Sequence, residues 1–328
     1  RSVNQIDTTK PQRNITMELR QLGRSSLRVA PLALGTNVMG WNIDEAASFK
    51  ILDAFIAEGF NLIDTADVYS NWKPGNSGGE SETIIGNWMK ARGTRSKVIV
   101  ATKVGHELSP EKKGLRKEYI LRAVEDSLRR LQTDYIDLYQ SHKDDLATPQ
   151  EESLGAYAKL VKEGKVRVIG ASNFSAERLS SALALSAKNS CPRYESFQPC
   201  YNLYDRGDFE GGPMAVCQSE EIGVIPYFSL GAGFLTGKYK SVEDLEGRAR
   251  AGRVKKYFDE RGINILKALD HVAAETKSKP GQVAIAWLLS RPTIAAPIAS
   301  ATDTAQLKEI LDGTRLKLSP EQAKLLDI

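Results

Sequence analysis

The chain has 328 residues, 41% of them hydrophobic and 26% charged, with a formal net charge of only +4. Its length suits two ordinary domains or one α/β barrel. The modest charge and absence of a basic cluster exclude a nucleic-acid-binding reading, and apolar runs such as 98–102 and 283–289 are too short to cross a bilayer.

Residues 1–16, RSVNQIDTTKPQRNIT, are polar and aperiodic and read as a disordered extension or remnant; residues 17–328 read as one domain. The segments "MELRQLG" and "SLRVAPL" flank Gly23 and predict a hairpin. Short β-like runs then alternate with amphipathic stretches, the pattern of parallel βαβ units. Strands are predicted at 32–34, 61–63, 98–102, 135–139, 166–169, 196–199, 224–227 and 294–298. Helices are predicted at 44–58, 81–90, 117–131, 150–163, 176–187, 213–221, 264–277 and 304–311. This alternation predicts an α/β fold of the (β/α)8 TIM-barrel type, with the N-terminal hairpin capping the bottom.

In such a barrel the chemistry gathers at the C-terminal ends of the strands. Asp64 is expected after the second strand, Lys103 after the third and His142 after the fourth, with Tyr69 five residues beyond Asp64. A phenol is a poor acid near neutrality, and a neighbouring ammonium favours its phenolate. Lys103 is therefore expected to tune Tyr69, Asp64 to orient Lys103, and His142 to donate a hydrogen bond to a substrate oxygen. Singly, each residue is common as a cap or satisfied core group; together they make a proton-transfer site. Asp67 reads as a turn or cap residue.

Cys191, Cys200 and Cys217 lack CxxC spacing, and His106, His142 and His271 are far apart, so no metal site is expected. The cysteine usage fits a reducing cytoplasm. The segment "GAGFLTGK", 231–238, fits neither a GxGxxG fingerprint nor a P-loop, where Tyr239 would have to be Ser or Thr. Its glycines suit close backbone approach to a phosphate.

The segments "NLIDTADVYSNWKPGNSGGESETIIGNWM", "VIVATKVG", "YIDLYQSHKDD", "VRVIGASNFS", "QPCYNLYDR" and "VIPYFSLGAGFLTGKY" resemble, in order, motifs of the aldo-keto reductase superfamily. The opening "LRQLGRSSLRVAPLALGTNVMG" and "SLGAGFLTGKY" are most similar to bacterial reductases of the branch that resembles potassium-channel β subunits. The resemblance implies a catalytic tetrad of Asp64, Tyr69, Lys103 and His142. In carbonyl reduction Tyr69 would be the proton donor and a nicotinamide the hydride source.

It further implies that Ser172, Asn173 and Gln198 bond the nicotinamide carboxamide, Tyr227 stacks on the ring, Gly35 and Thr36 form the turn beneath the nicotinamide ribose, and Asp64 is a further cofactor contact. Ser229, Leu230, Gly231, Leu235 and Gly237 would follow the pyrophosphate. Lys238 and Arg248 would approach a 2′-phosphate, favouring NADPH with NADH as the other option. Ser300, Thr302, Gln306 and Glu309 match adenosine contact positions, although Ser300 replaces Gly and Ile310 the usual Asn.

The substrate is expected to be a small carbonyl compound. Trp41, Trp72 and His142 are the expected substrate contacts, with Phe174, Tyr204, Phe209 and Tyr257 as further aromatic candidates. Two other readings share these residues: an NAD(P)+-dependent alcohol or sugar dehydrogenase, and a cofactor-bound redox-sensing regulatory subunit. Neither a nucleic-acid nor a membrane partner is expected, and monomer and homo-oligomer both remain open.

Overall fold

The computed structural model describes residues 17–247 and 251–328. The predicted extension at 1–16 and Arg248 lie outside the described residues. In chain order, β1 (Arg20–Gln21) and β2 (Arg28–Val29) precede β3 (Ala33–Gly35), α1 (Glu45–Ala57), β4 (Leu62–Asp64), α2 (Glu80–Arg92), β5 (Ile99–Val104) and α3 (Lys117–Leu131). Then come β6 (Ile136–Ser141), α4 (Gln150–Lys162), β7 (Val166–Ser172), α5 (Ala176–Asn189), β8 (Tyr194–Gln198), α6 (Gly207–Glu210), α7 (Pro213–Ser219) and β9 (Gly223–Val224). The last part holds α8 (Ala251–Val254), α9 (Glu260–Thr276), α10 (Pro280–Ser290), β10 (Ile298–Ala299), α11 (Thr304–Gly313) and α12 (Pro320–Leu325).

Strands β3 to β9 pair in parallel with their sequence neighbours, and β10 pairs with β3. Hydrogen bonds from Ala295 N to Val224 O and from Ile298 N to Pro226 O, both 2.8 Å, join the last strand segment to β9 and complete a (β/α)8 barrel. The outer helices follow from one-sided apolar patterning. In α3, Tyr119, Ile120, Ala123, Val124, Leu128 and Leu131 form one buried face. Asp44, Ser175, Asp259 and Asp303 each accept a backbone N–H as side-chain N-caps, starting α1, α5, α9 and α11.

The barrel interior is layered. At the bottom, Leu22, Leu27 and Val29 of the antiparallel hairpin pack against Ala33, Leu62, Ala101, Leu138 and Val168. Gly23 sits in a left-handed conformation, φ 61°, where an added Cβ would lie 2.3 Å from the Glu195 carbonyl, so the hairpin can dock this closely only with glycine. Above the apolar layer come polar residues, Asp64, Lys103, Gln140 and Gln198, none more than 2% exposed.

The register explains their meeting: Asp64 pairs with Ala101, Lys103 with Gln140, and Ser172 with Gln198. Several strands run farther than their apolar residues predict. Asp64 and Lys103 are consequently inside β4 and β5 rather than after them, because mutual pairing lets polar residues continue a buried strand. The final strand is correspondingly later than predicted, and the apolar run 283–289 is helix α10, begun by Pro280 at its first position.

Candidate active site

The centre of the site is the Lys103 ammonium. It has no solvent exposure and donates to Asp64 Oδ2 at 2.7 Å, to the Thr65 carbonyl at 2.8 Å and to the Tyr69 hydroxyl at 2.9 Å. These three partners satisfy all the protons of the ammonium. The Tyr69 hydroxyl also lies 3.4 Å from Asp64 Oδ2. His142, the first residue beyond β6, places its ring centroid 6.1 Å from that of Tyr69. The four residues expected to act together are therefore brought together.

Burial governs their electrostatics. It raises the Tyr69 hydroxyl well above its ordinary acidity range, and Asp64 adds to the effect by opposing a phenolate. This corrects the expectation that the ammonium would dominate and make the phenol more acidic: Asp64 bonds to the same ammonium and offsets its charge. Desolvation lowers Lys103, against the raising influence of Asp64. Burial, assisted by Lys103, His106 and Lys143, holds His142 well below its ordinary value, so its imidazole is neutral near pH 7. His142 Nδ1 is buried and unpartnered among the described residues.

A second set of polar groups adjoins the tetrad. Gln198 Nε2 donates to Asp64 Oδ1 at 2.9 Å and to Gln140 Oε1 at 3.2 Å. Ser172 Oγ donates to the Gln198 carbonyl at 2.7 Å. Asn173, at φ 58°, donates from Nδ2 to the His142 carbonyl, while its Oδ1 accepts from the Tyr227 hydroxyl at 2.8 Å. The amides of Gln198 and Asn173 and the Tyr227 phenol thus adjoin the tetrad.

Farther round the rim, Gly231, Ala232 and Gly233 all have positive φ, at 55°, 55° and 101°. The turn is held from within, Gly231 N donating to the Phe228 carbonyl at 2.7 Å and Gly233 N to the Leu230 carbonyl at 2.9 Å. Lys238 is exposed nearby, its Nζ 4.9 Å from the Tyr239 ring centroid. Ser229 and Leu235 are buried, and the Leu235 side chain belongs to the core, leaving its main chain as the part available to a ligand. Leu230 is half-buried, and Gly237 ends this segment in a left-handed conformation, φ 72°.

Gly35 lies so close to β10 that a Cβ there would be 2.8 Å from Ser300 Oγ, which itself donates to Asn37 Oδ1. Thr36 is buried, and its hydroxyl donates to the Asp64 carbonyl at 2.9 Å. Thr302 and Gln306 are exposed and bonded to one another, whereas Glu309 pairs with Lys279.

The aromatic candidates divide. Trp72 is 42% exposed and packs edge-on to Trp41 with centroids 5.6 Å apart, and its centroid lies 6.1 Å from that of Tyr69. Phe174, Phe209 and Tyr257 are instead buried in the core, and Tyr204 spends its hydroxyl on Asp259. Loop aromatics are as useful for anchoring loops as for meeting a ligand, so their spacing could not separate the two groups.

Sequence reasoning missed Gln140, whose bond to Gln198 is visible only once strand register is known. It also missed His106, whose ring is 5.2 Å from His142. Asp67 lies in the turn after β4, as expected, but its carboxylate caps nothing. It is 2% exposed, and neither carboxylate oxygen has a partner among the described residues. Asp67 lines a cavity of about 520 Å³ with Tyr119, Arg122, Asp126 and Arg130; no tetrad member borders it.

The sequence model of the Aldo/keto reductase family matches residues 31–328. The chain belongs to the aldo/keto reductase family. This aldo/keto reductase is 34% identical over 335 residues to Protein tas of Escherichia coli K12, covering 93% of this chain and 95% of that protein. It is 35% identical over 320 residues to the oxidoreductase YrpG of Bacillus subtilis, with 95% of each chain covered. It is also 32% identical over 298 residues to the Schizosaccharomyces pombe protein named aldo-keto reductase yakc [NADP(+)], covering 89% and 84% of the two chains. The present chain is accordingly an NAD(P)H-dependent oxidoreductase.

Proposed function

We propose that this reductase converts an aldehyde or ketone to an alcohol with NADPH, and that Tyr69 is the proton donor. The observation carrying this reading is the threefold bonding of Lys103 Nζ to Asp64, Thr65 and Tyr69. It would hold the Tyr69 proton beside a compensating positive charge at the C-terminal face of the barrel.

When bound, the nicotinamide supplies hydride to the carbonyl carbon. Gln198, Asn173 and Ser172 would bond its carboxamide, and Tyr227 would orient its ring. The loop carrying Ser229, Leu230, Gly231, Leu235 and Gly237, with Lys238, would follow the phosphates, and Gly35, Thr36, Ser300, Thr302, Gln306 and Glu309 would line the remaining groove. The word NADP(+) in the name of the fission-yeast relative and the exposed position of Lys238 favour NADPH.

The chain's own groups carry the proton half of the reaction. Tyr69 remains a neutral phenol at working pH because desolvation, and then Asp64, oppose its phenolate. It therefore approaches the substrate oxygen as a donor, and neutral His142 offers a second hydrogen bond to that oxygen. As negative charge develops on oxygen, the Tyr69 proton moves onto it. Lys103, 2.9 Å away, stabilises the phenolate left behind. Asp64 keeps the ammonium charged despite burial, and Trp41 and Trp72 shape the substrate's apolar side.

Loss of NADPH absorbance in the presence of an activated aromatic aldehyde tests the reading. Turnover faster with NADPH than with NADH is expected. Tight NADPH binding without turnover of any simple aldehyde or ketone would contradict it.

A further inference from the structure

Beside the catalytic imidazole lies a basic pair that the proton-transfer scheme does not use. The His106 and His142 rings meet edge to face with centroids 5.2 Å apart, and His106 is exposed. Lys143, adjoining His142 in the chain, is also exposed, and its charge acts on both imidazoles. Neighbouring carboxylates are engaged elsewhere: Glu107 pairs with Lys113 at 3.3 Å and Asp144 with Arg178 at 2.7 Å. Asp145 accepts from Leu115 N and from the Thr148 hydroxyl. Among the described residues, His106 and Lys143 thus retain no carboxylate partner next to the site.

We propose that His106 and Lys143 select carbonyl substrates bearing a carboxylate, which they hold while Tyr69 and His142 engage the carbonyl oxygen. This inference rests on the reductase reading and names the substrate class for the same site. Lys143 supplies one permanent positive charge, matched to a carboxylate's single negative charge. His106, packed edge to face on His142, supplies an imidazole at the same rim. Trp72 borders the same Tyr69 ring, so the carbon skeleton between the two functional groups can lie against an indole. The pair acts on specificity and leaves the hydride and proton transfers unchanged.

The test compares 4-carboxybenzaldehyde with its uncharged near-isostere 4-carbamoylbenzaldehyde, using NADPH and the full chain, in wild type, Lys143→Ala and His106→Ala. NADPH binding by each variant serves as the check on folding. The carboxylate should be favoured about tenfold in kcat/KM, the size expected of partly exposed charge contacts. That preference should fall with added salt and in Lys143→Ala, mainly through a higher KM for the carboxylate. Equal use of the two aldehydes by wild type, or a preference that survives Lys143→Ala, would overturn the inference while leaving the reductase reading intact. Failure to turn over either aldehyde would count against the reductase reading, and the inference would fall with it.

Discussion

Gln198 Nε2 donates to Asp64 Oδ1 at 2.9 Å, while Lys103 holds the other oxygen of the same carboxylate at 2.7 Å. One buried carboxylate therefore joins the amide platform proposed for the nicotinamide to the ammonium beside the proton donor. Substituting Gln198→Ala should disturb both sides. Loss of a hydrogen bond to a buried charge corresponds to roughly 1.5–3 kcal/mol, so NADPH affinity or kcat should fall about tenfold or more. Fluorescence titration with NADPH and steady-state kinetics check this; an unchanged Kd together with an unchanged kcat would refute the link.

Lys103 has a structural role inseparable from its chemical one. Lys103→Met leaves the Asp64 carboxylate without its cation and should destabilise the fold by about 3–5 kcal/mol, the typical penalty for breaking a buried pair. Adding Asp64→Asn should restore much of the denaturation midpoint but none of the activity. Chemical denaturation of the two variants, with activity measured alongside, separates the roles. Equal stability of the single and double variants would argue against charge isolation as the cause.

Asp67 should make the protein less stable in alkali. Burial foremost, and Glu82 next, raise its folded-state pKa well above the ordinary value, so the native state retains a proton that the unfolded chain releases. Its contribution is present in full below the unfolded pKa and is lost as pH rises through the folded pKa. Asp67→Asn, which mimics the protonated form, should gain stability relative to wild type as pH increases from about 5 to 8, a range that begins above the ordinary Asp pKa. Thermal melts across that range check the sign; a gap that narrows with pH would contradict it.

The contrast between Asp64 and Asp67 shows how far the sequence could be read. Apolar runs separated by helical periodicity specify a barrel, and barrel geometry makes a residue at a strand end suspect as chemistry. Asp64, Lys103 and His142 were accessible by that route. Asp67 was not, because sequence spacing does not say whether a carboxylate finds a partner. Strand register hid Gln140 for the same reason. Polar residues can extend a buried strand when they pair across it, which is why Lys103 lies within β5 and the apolar pattern alone stopped short. The helical run at 283–289 illustrates the converse ambiguity, since continuous burial erases the periodicity that distinguishes helix from strand.

Reduction should be nearly independent of pH across neutrality. Tyr69 is shifted above its usual range and His142 below it, so neither changes protonation between about pH 7 and 9. A profile of kcat at saturating NADPH and aldehyde checks this. A titration centred near neutrality in the hydride-transfer step would show that burial does not control the two groups as inferred.

In the proposed reaction Tyr69 donates the proton and does not merely line the site. The most direct measurement is kcat for NADPH-dependent aldehyde reduction by Tyr69→Phe beside wild type, with NADPH Kd determined for both. Tyr69→Phe should lose about 10²-fold or more in kcat, the scale of general-acid catalysis, with the Kd little changed. Equal turnover by the two proteins would contradict it.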